Sequence, residues 1–193
     1  MIVAAELPAP LSPDAVTAAG RDARLRAMVT DHFAFVWRSV RRMGVPEAGA
    51  DDAAQEVFLI ASRRIDTIDP GSERAFLFAT ARRVASTARR TALRRREVPI
   101  ADASPEHPAP GPEELTDRKR ARELMDQILA SLDDDERAVF VLYECEGMTG
   151  PEIAKLLELR LGTVASRLRR ARASYQRAVV RLGPRRRQGA SDA

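Results

Sequence analysis

The sequence predicts an all-α fold: two small helical domains joined by a Pro-rich linker, the second containing a helix-turn-helix. Three observations carry this reading. Apolar residues recur at spacings of three and four in several windows, with no strand-like alternation and no internal repeat. Ala, Leu, Arg and Glu are plentiful while aromatic residues make up only 5%, a mix that suits helices and supplies little for a β-rich core. Between two periodic stretches, residues 97–112 hold Pro99, Pro105, Pro108, Pro110 and Pro112.

Residues 1–20, rich in Ala and Pro, read as a flexible N-terminal arm. The first domain spans 21–96. Its first helix runs from Arg21 to Met43 and carries Leu25, Met28, Val29, Phe33, Val36, Trp37, Val40 and Met43 on one face, until Gly44-Val45-Pro46 breaks it. A second helix, from about Asp51 to Arg64, turns Ala54, Val57, Phe58 and Ala61 inward. Asp69-Pro70-Gly71-Ser72 is a turn, with Ser72 as N-cap of a long third helix that reaches about Arg96 and buries Phe76, Leu77, Thr80 and Val84. The linker 97–112, read as extended, reaches about 50 Å at roughly 3.1 Å per residue. That exceeds one DNA turn of about 34 Å. The second domain, 113–183, carries Leu115, Leu124, Ile128 and Leu129 on its first helix. A helix starting at Asp133 or Asp134 follows and is stopped by Gly147. Then come a short helix over Gly150–Leu157 and a long one over Gly162–Leu182, stopped by Gly183-Pro184. A basic tail, 184–193, ends the chain.

The net charge of +4 conceals a strong segregation. No acidic residue lies between Arg74 and Arg96, nor between Arg160 and Ser191, and both spans are dense in arginine. The acids gather in Asp51–Glu56, Glu113–Asp117 and Asp133–Glu136. Two basic blocks set apart by acidic ones suggest a polyanion partner and, in addition, a basic protein partner. Cys145 is the only cysteine, which excludes an intrachain disulfide; His32 and His107 are too few and too scattered for a ligand set. No cofactor and no metal are expected, and no carboxylate cluster has catalytic spacing, so the chain reads as no enzyme. Met1–Gly20 lacks a basic start and a long apolar run, and no window is long enough to span a bilayer, which points to a cytoplasmic protein without membrane insertion.

The helix-turn-helix rests on local chemistry. Thr149-Gly150-Pro151-Glu152 has the form of a capping box with Pro in the first turn, where its missing N–H costs little. Ile153, Ala154, Leu156 and Leu157 face inward, and Gly162-Thr163-Val164 opens a basic helix after a short link. Ser166, Arg169 and Arg170 then point away from Val164, Leu168 and Tyr175. That placement suits a major groove, where arginine makes paired hydrogen bonds to guanine. Arg160, Arg167, Arg172 and Arg177 are placed for phosphates.

These residues resemble a known family. Glu152-Ile153-Ala154, Gly162-Thr163-Val164, Ser166-Arg167-Leu168 and, one position on, Arg170-Ala171-Arg172, with Leu132, Arg137, Val139, Phe140, Leu142 and Glu146-Gly147 before them, resemble region 4 of the extracytoplasmic-function sigma factors, the group IV members of the sigma-70 family. Asp52-Ala53-Ala54-Gln55-Glu56-Val57-Phe58, followed by Arg74-Ala75-Phe76-Leu77, Ala81-Arg82 and Arg90, resembles region 2. The resemblance implies a subunit that binds bacterial core RNA polymerase and directs it to promoter DNA. By that likeness Asp52, Gln55 and Glu56 dock on polymerase, an acidic, amide-bearing face suited to a basic partner helix. Ser72, Arg82, Arg83, Arg89 and Arg90 engage the melted minus-ten element. Arg160, Thr163, Ser166, Arg167, Arg169, Arg170 and Arg172 engage the minus-thirty-five duplex. The family also implies an anti-sigma factor as partner.

Several residues depart from the family pattern: Phe76 for a usual Trp, Arg83 for Asn, Thr87 for Asp, Glu158 and Arg160 for the Gly and Pro of the turn, and Ala165 at an often basic position. A Glu adopts the left-handed turn at some cost, so the turn is expected to survive. Three other readings compete: a stand-alone helix-turn-helix regulator that does not bind polymerase, a helical nuclease, and a basic RNA-binding adaptor.

Overall fold

A computed structural model describes residues 13–96 and 112–183, with side chains described over 19–92 and 119–183. The described residues form α1 (Pro13–Arg42), α2 (Ala50–Arg63), α3 (Glu73–Arg96), α4 (Pro112–Ala130), α5 (Asp134–Phe140), α6 (Gly150–Leu156) and α7 (Leu161–Leu182), and they include no strand. A π-helical turn, Val141–Cys145, prolongs α5. The expected arm is corrected over residues 13–20, which are the first turns of α1. Pro at the helix start and the Ala-rich run after it favour this. The expected linker falls outside the described residues, except that Pro112 already belongs to α4, and the expected tail falls outside them entirely.

The helix ends follow their signals. Asp133 caps α5, its carboxylate accepting the Asp135 N–H at 2.9 Å. Thr149 donates its N–H to the Glu152 carboxylate at 2.7 Å, the reach-back bond of a capping box, and its hydroxyl donates to the same oxygen at 2.7 Å. At the end of α1, Gly44 takes φ 97°, Val45 N–H reaches Val40 O at 3.1 Å and Gly44 N–H reaches Arg41 O at 2.9 Å. This is a Schellman ending, which an L side chain resists because of the left-handed φ.

Helices α1, α2 and α3 enclose Val36, Val40, Met43, Ala54, Val57, Ala61, Leu77, Phe78 and Ala81, all fully buried. Each buried Val, Leu or Phe contributes about 1.5–3 kcal/mol relative to exposure. A separate small cluster under α4, α5 and α7 holds Leu129, Leu132, Phe140, Val141 and Ala171, with the Phe140 and Tyr175 rings stacked at 4.9 Å. Periodicity places Phe33 in the core. The structure instead leaves it 43% exposed, stacked on Phe58, and buries Phe35 against Phe78.

The two domains are not independent bundles on a tether. Ala138, Val139, Leu142, Ile153, Val164 and Leu168 of the second domain belong to the same apolar cluster as the core of the first. Polar contacts line that seam. Arg38 grips Glu146 through two hydrogen bonds, at 3.0 and 2.7 Å, and Arg42 pairs with the same carboxylate. Arg41 meets Asp126 at 2.8 Å. Arg82 meets Asp135 at 2.6 Å, and Arg89 meets both oxygens of Asp134, at 2.7 and 2.5 Å. Among the described residues, every ion pair across the seam sets an arginine of the first domain against a carboxylate of the second.

Two glycines of the first domain make opposite predictions. Gly20 lies exposed inside α1, where an added Cβ would meet nothing within 4 Å. Gly20→Ala is expected to raise stability by about 0.5–1 kcal/mol in urea unfolding. At Gly44 a Cβ would stand 2.9 Å from Arg89 Cδ and 3.3 Å from Arg137 Nη1, on top of the left-handed φ. Gly44→Ala is expected to cost about 1–3 kcal/mol by the same measurement.

Candidate nucleic-acid interface

The helix-turn-helix is formed by α6 and α7. Leu159 N–H bonds Ala154 O at 2.9 Å and Glu158 stands at φ 54°, so a glutamate fills the left-handed position that glycine fills at the ends of α1 and of the π-helical turn. The turn survives, as expected, at the conformational cost of a non-glycine residue there. Gly150 sits so close to α7 that a Cβ on it would lie 3.2 Å from Leu161 Cδ1. Ile153, Val164, Leu168 and Ala171 are buried beneath, which aims the opposite face of α7 outward.

On that outer face Arg160, Arg169, Arg170 and Arg172 are exposed, while Thr163, Ser166 and Arg167 are half-buried. The Ser166 hydroxyl donates to Thr163 O at 3.0 Å. Three of the arginines are already engaged by acids: Arg167 with Asp135 at 2.5 Å, Arg170 Nε with Glu136 Oε1 at 2.9 Å, and Arg172 with Glu144 at 2.7 Å. Arg172 also lies over the Tyr143 ring at 5.0 Å. Its pairing with Glu144 raises the Arg172 pKa. Arg160 and Arg169 have no acidic partner among the described residues.

The turn before α3 is built to hold a shape. Gly71 takes φ 84°, Ser72 N–H bonds Asp69 O at 3.0 Å, and Ser72 O accepts the Phe76 N–H at 3.0 Å, which places Ser72 at the helix cap. Arg24 of α1 pins this turn, donating to Ile65 O at 3.0 Å, Ile68 O at 2.5 Å and Glu73 Oε1 at 2.9 Å. Burial pushes the Glu73 carboxyl up, but Arg24 and the N–H groups of Gly71 and Glu73 outweigh it and hold the group below its usual range. Sequence reasoning misses Arg24, because its partners lie more than forty positions away. Along α3, Arg83 and Arg90 are exposed, whereas Arg82 and Arg89 are half-buried in the seam. A cleft of about 630 Å³ separates the turn from the helix-turn-helix; Ile68, Arg74, Arg82 and Arg83 line one wall, Met148 and Lys155 the other.

On the far side of the first domain, Asp52, Gln55 and Glu56 are exposed together on α2, with Ala53, Ala54, Val57 and Phe58 buried behind them. Leu59, 43% exposed, adds an apolar edge to that face. Asp51 is separately engaged by Trp37 Nε1 at 2.8 Å. The structure thus joins the α2 acids into one face and the α7 residues into another. It splits the α3 arginines between the seam and solvent.

The acids at 133–136 find partners within the chain: Asp134, Asp135 and Glu136 pair with Arg89, Arg82, Arg167 and Arg170. The Arg82 hydrogen bond, opposed by burial and aided by Arg167, holds the Asp135 carboxyl below its usual range. Cys145 is half-buried and burial raises its thiol pKa, which suits a filler rather than a reactive group. Among the described residues no group of His, Cys, Asp and Glu could hold a metal ion, and no helix is long and apolar enough to cross a membrane.

Comparison with known proteins identifies two matching regions. Residues 28–96 match the family model of sigma-70 region 2, and residues 122–174 match that of sigma-70 region 4. The chain is 32% identical over 168 residues to the ECF RNA polymerase sigma factor SigL of Mycobacterium tuberculosis, covering 86% of this chain and 94% of that one. It is 30% identical over 172 residues to the RNA polymerase sigma factor CnrH of Cupriavidus metallidurans, covering 82% and 88%. Among solved structures, CnrH in complex with the cytosolic domain of CnrY superposes with a TM-score of 0.61 at 26% identity, covering 86% of this chain and 96% of that one. The sigma factor RpoE from Bartonella quintana, in complex with the anti-sigma factor NepR, shares the fold with a TM-score of 0.57 at 20% identity, covering 82% and 98%. The region 2 match excludes a stand-alone helix-turn-helix regulator, and with both regions present in order the chain belongs to the extracytoplasmic-function sigma factors of the sigma-70 family.

Proposed function

We infer that this sigma factor divides its work between three surfaces: α2 docks on core RNA polymerase, the Ser72 turn and α3 hold the melted minus-ten strand, and α7 reads the minus-thirty-five duplex. The observation that carries the assignment is the outward face of α7, where exposed Arg169 and Arg170 stand over buried Val164 and Leu168. Exposed guanidinium groups on a helix stiffened by its own core can read guanine edges; Arg160, Arg167 and Arg172 are set to hold phosphates. Thr163 and Ser166 supply hydroxyl groups between them. On the first domain, Arg82, Arg83, Arg89 and Arg90 form a cationic track along α3, as a single strand needs, and the adjoining cleft offers room for an unstacked base.

The α2 face of Asp52, Gln55 and Glu56 is acidic and exposed, with Leu59 beside it, and fits a basic helix on polymerase. An initiation subunit of this kind supplies positioning and electrostatics, and no catalytic group. Its site of action is the cytoplasm, where polymerase and chromosome are. Two of its structural neighbours are held by a second protein, the cytosolic domain of CnrY in one case and the anti-sigma factor NepR in the other, which supports an anti-sigma factor as a partner here too.

Two experiments test the assignment. Arg170→Ala should weaken promoter binding by the holoenzyme by about 1–3 kcal/mol and relax one base position in a mobility-shift series; equal loss on all sequences would make it a phosphate contact. Asp52→Ala combined with Gln55→Ala should abolish co-elution with sigma-free core polymerase while far-UV circular dichroism stays unchanged. Undiminished co-elution would remove α2 as the docking face.

A further inference from the structure

The turn before α3 takes its shape from a residue outside the cleft. Ile68, Asp69, Gly71 and Ser72 line the cleft, and Arg24 does not. Arg24 reaches the same turn from α1 and touches both of its ends. Its Nη1 donates to Ile65 O at 3.0 Å, and its Nη2 donates to Ile68 O at 2.5 Å and to Glu73 Oε1 at 2.9 Å. Glu73 carries the hold onward, because its other oxygen, Oε2, accepts the Gly71 N–H at 2.6 Å. Gly71 is the left-handed residue of the turn, at φ 84°.

The contacts that hold the turn differ in weight. Ile65 and Ile68 are buried and fix where the segment begins. Asp69, Pro70, Gly71 and Ser72 are all exposed, so burial holds none of them. Arg21 pairs with Asp66 at 2.9 Å, but the two side chains are 49% and 62% exposed, and such a pair contributes little. The Arg24–Glu73 pair is more sheltered, at 31% and 21%, and one planar guanidinium serves three acceptors at once. Arg24, the turn and Glu73 all lie in the first domain, so this hold does not pass through the seam.

We propose that Arg24 is a positioning residue for minus-ten recognition: from α1 it sets the exposed half of the turn, Asp69 to Ser72, in the shape that receives an unstacked base, and Glu73 transmits that setting. This rests on the assignment of the Ser72 turn to the melted strand. A recognition pocket discriminates only when its polar groups are held within about 0.5 Å of the productive geometry. Without Arg24 the turn samples several arrangements and accepts more than one base. Arg83 and Arg90 on α3 meanwhile keep their exposed charges for the strand's phosphates. Arg24 therefore governs which base is chosen more than how tightly the strand is held.

The test uses holoenzyme reconstituted from core polymerase and the full-length chain. Its probe is a promoter fragment selected by the wild-type holoenzyme from a randomised library, with each minus-ten position then changed to the other three bases. Heparin-resistant open complex on a gel reads the preference at each position. The wild type should prefer one base at one position by on the order of tenfold, the size of a direct base contact, and Arg24→Ala should reduce that preference to about twofold. Base preferences at the minus-thirty-five element and capture by core polymerase should not change. Arg24→Lys keeps the charge but not the fork, and should restore part of the preference. Glu73→Gln should lower the same preference, and the double variant should lose less than the two single losses combined, as residues acting through one path do. An undiminished preference in Arg24→Ala overturns the proposal. So does a loss spread evenly over both promoter elements or accompanied by lost polymerase capture, since a residue that merely supports the fold would give that result. Far-UV circular dichroism at the assay temperature checks folding; if Arg24→Ala is unfolded, Glu73→Gln decides by the same criteria. Asp69→Ala with Ser72→Ala separates the two levels of the argument. No change of preference in that variant removes the turn from minus-ten recognition, whereas a change there beside an unchanged Arg24→Ala removes Arg24 alone.

Discussion

The carbonyl of Met43 is the point on which both domains depend. It lies at the end of α1, exposed by the left-handed turn at Gly44, and it accepts hydrogen bonds from Arg89 of α3 and from Arg137 of α5, the latter at 3.2 Å. Arg137 is 3% exposed and its other backbone acceptor is Leu132 O at 3.1 Å. Burial lowers its pKa, and the nearby Arg89 charge lowers it further. A guanidinium in that position needs every acceptor it has, because an unpaired buried charge costs several kcal/mol. One peptide oxygen therefore joins helices from both halves of the chain, and parting the halves deprives Arg137 of an acceptor while uncovering Val139, Leu142 and Ile153.

That coupling explains why arginine recurs throughout the seam. The same planar fork that fits a carboxylate fits a phosphate, so a chain built to grip DNA carries the means to grip itself. The seam uses the acids of the second domain for this purpose, while Asp52 and Glu56 of α2 stay exposed. Polar and apolar parts of the seam act together. The ion pairs set the register between the domains, and the shared cluster around Ala138 and Leu142 supplies burial.

The local features are legible in the sequence because local chemistry determines them. The Thr149–Glu152 capping box, the Asp133 cap, the Ser72 turn and the stop at Gly44 each depend on residues within a few positions of one another. The inward face of α2 and the outward face of α7 follow from helical period alone. The seam is not legible, since Arg38 and Glu146 stand 108 positions apart and no periodicity links them. The same reason hides Arg24. Periodicity misplaces Phe33 because it assigns α1 a single apolar stripe, whereas α1 is covered from two sides. Helix α3 draws Phe35 inward through Phe78 and through Arg74, whose guanidinium lies 4.4 Å from the Phe35 ring centroid. The acids at 133–136 look, in sequence, like any helix start favoured by its dipole; their pairing with α3 and α7 exists only in three dimensions.

The pairing of Arg82 and Arg89 with Asp135 and Asp134 has a consequence for salt. Both carboxylates are nearly half exposed, so dissolved ions reach the pairs, and at roughly 0.1 M ionic strength charges are screened over about 10 Å. The apolar cluster around Val139 and Leu142 carries no charge to be screened. Rising salt therefore loosens the polar half of the seam and leaves its apolar half in place.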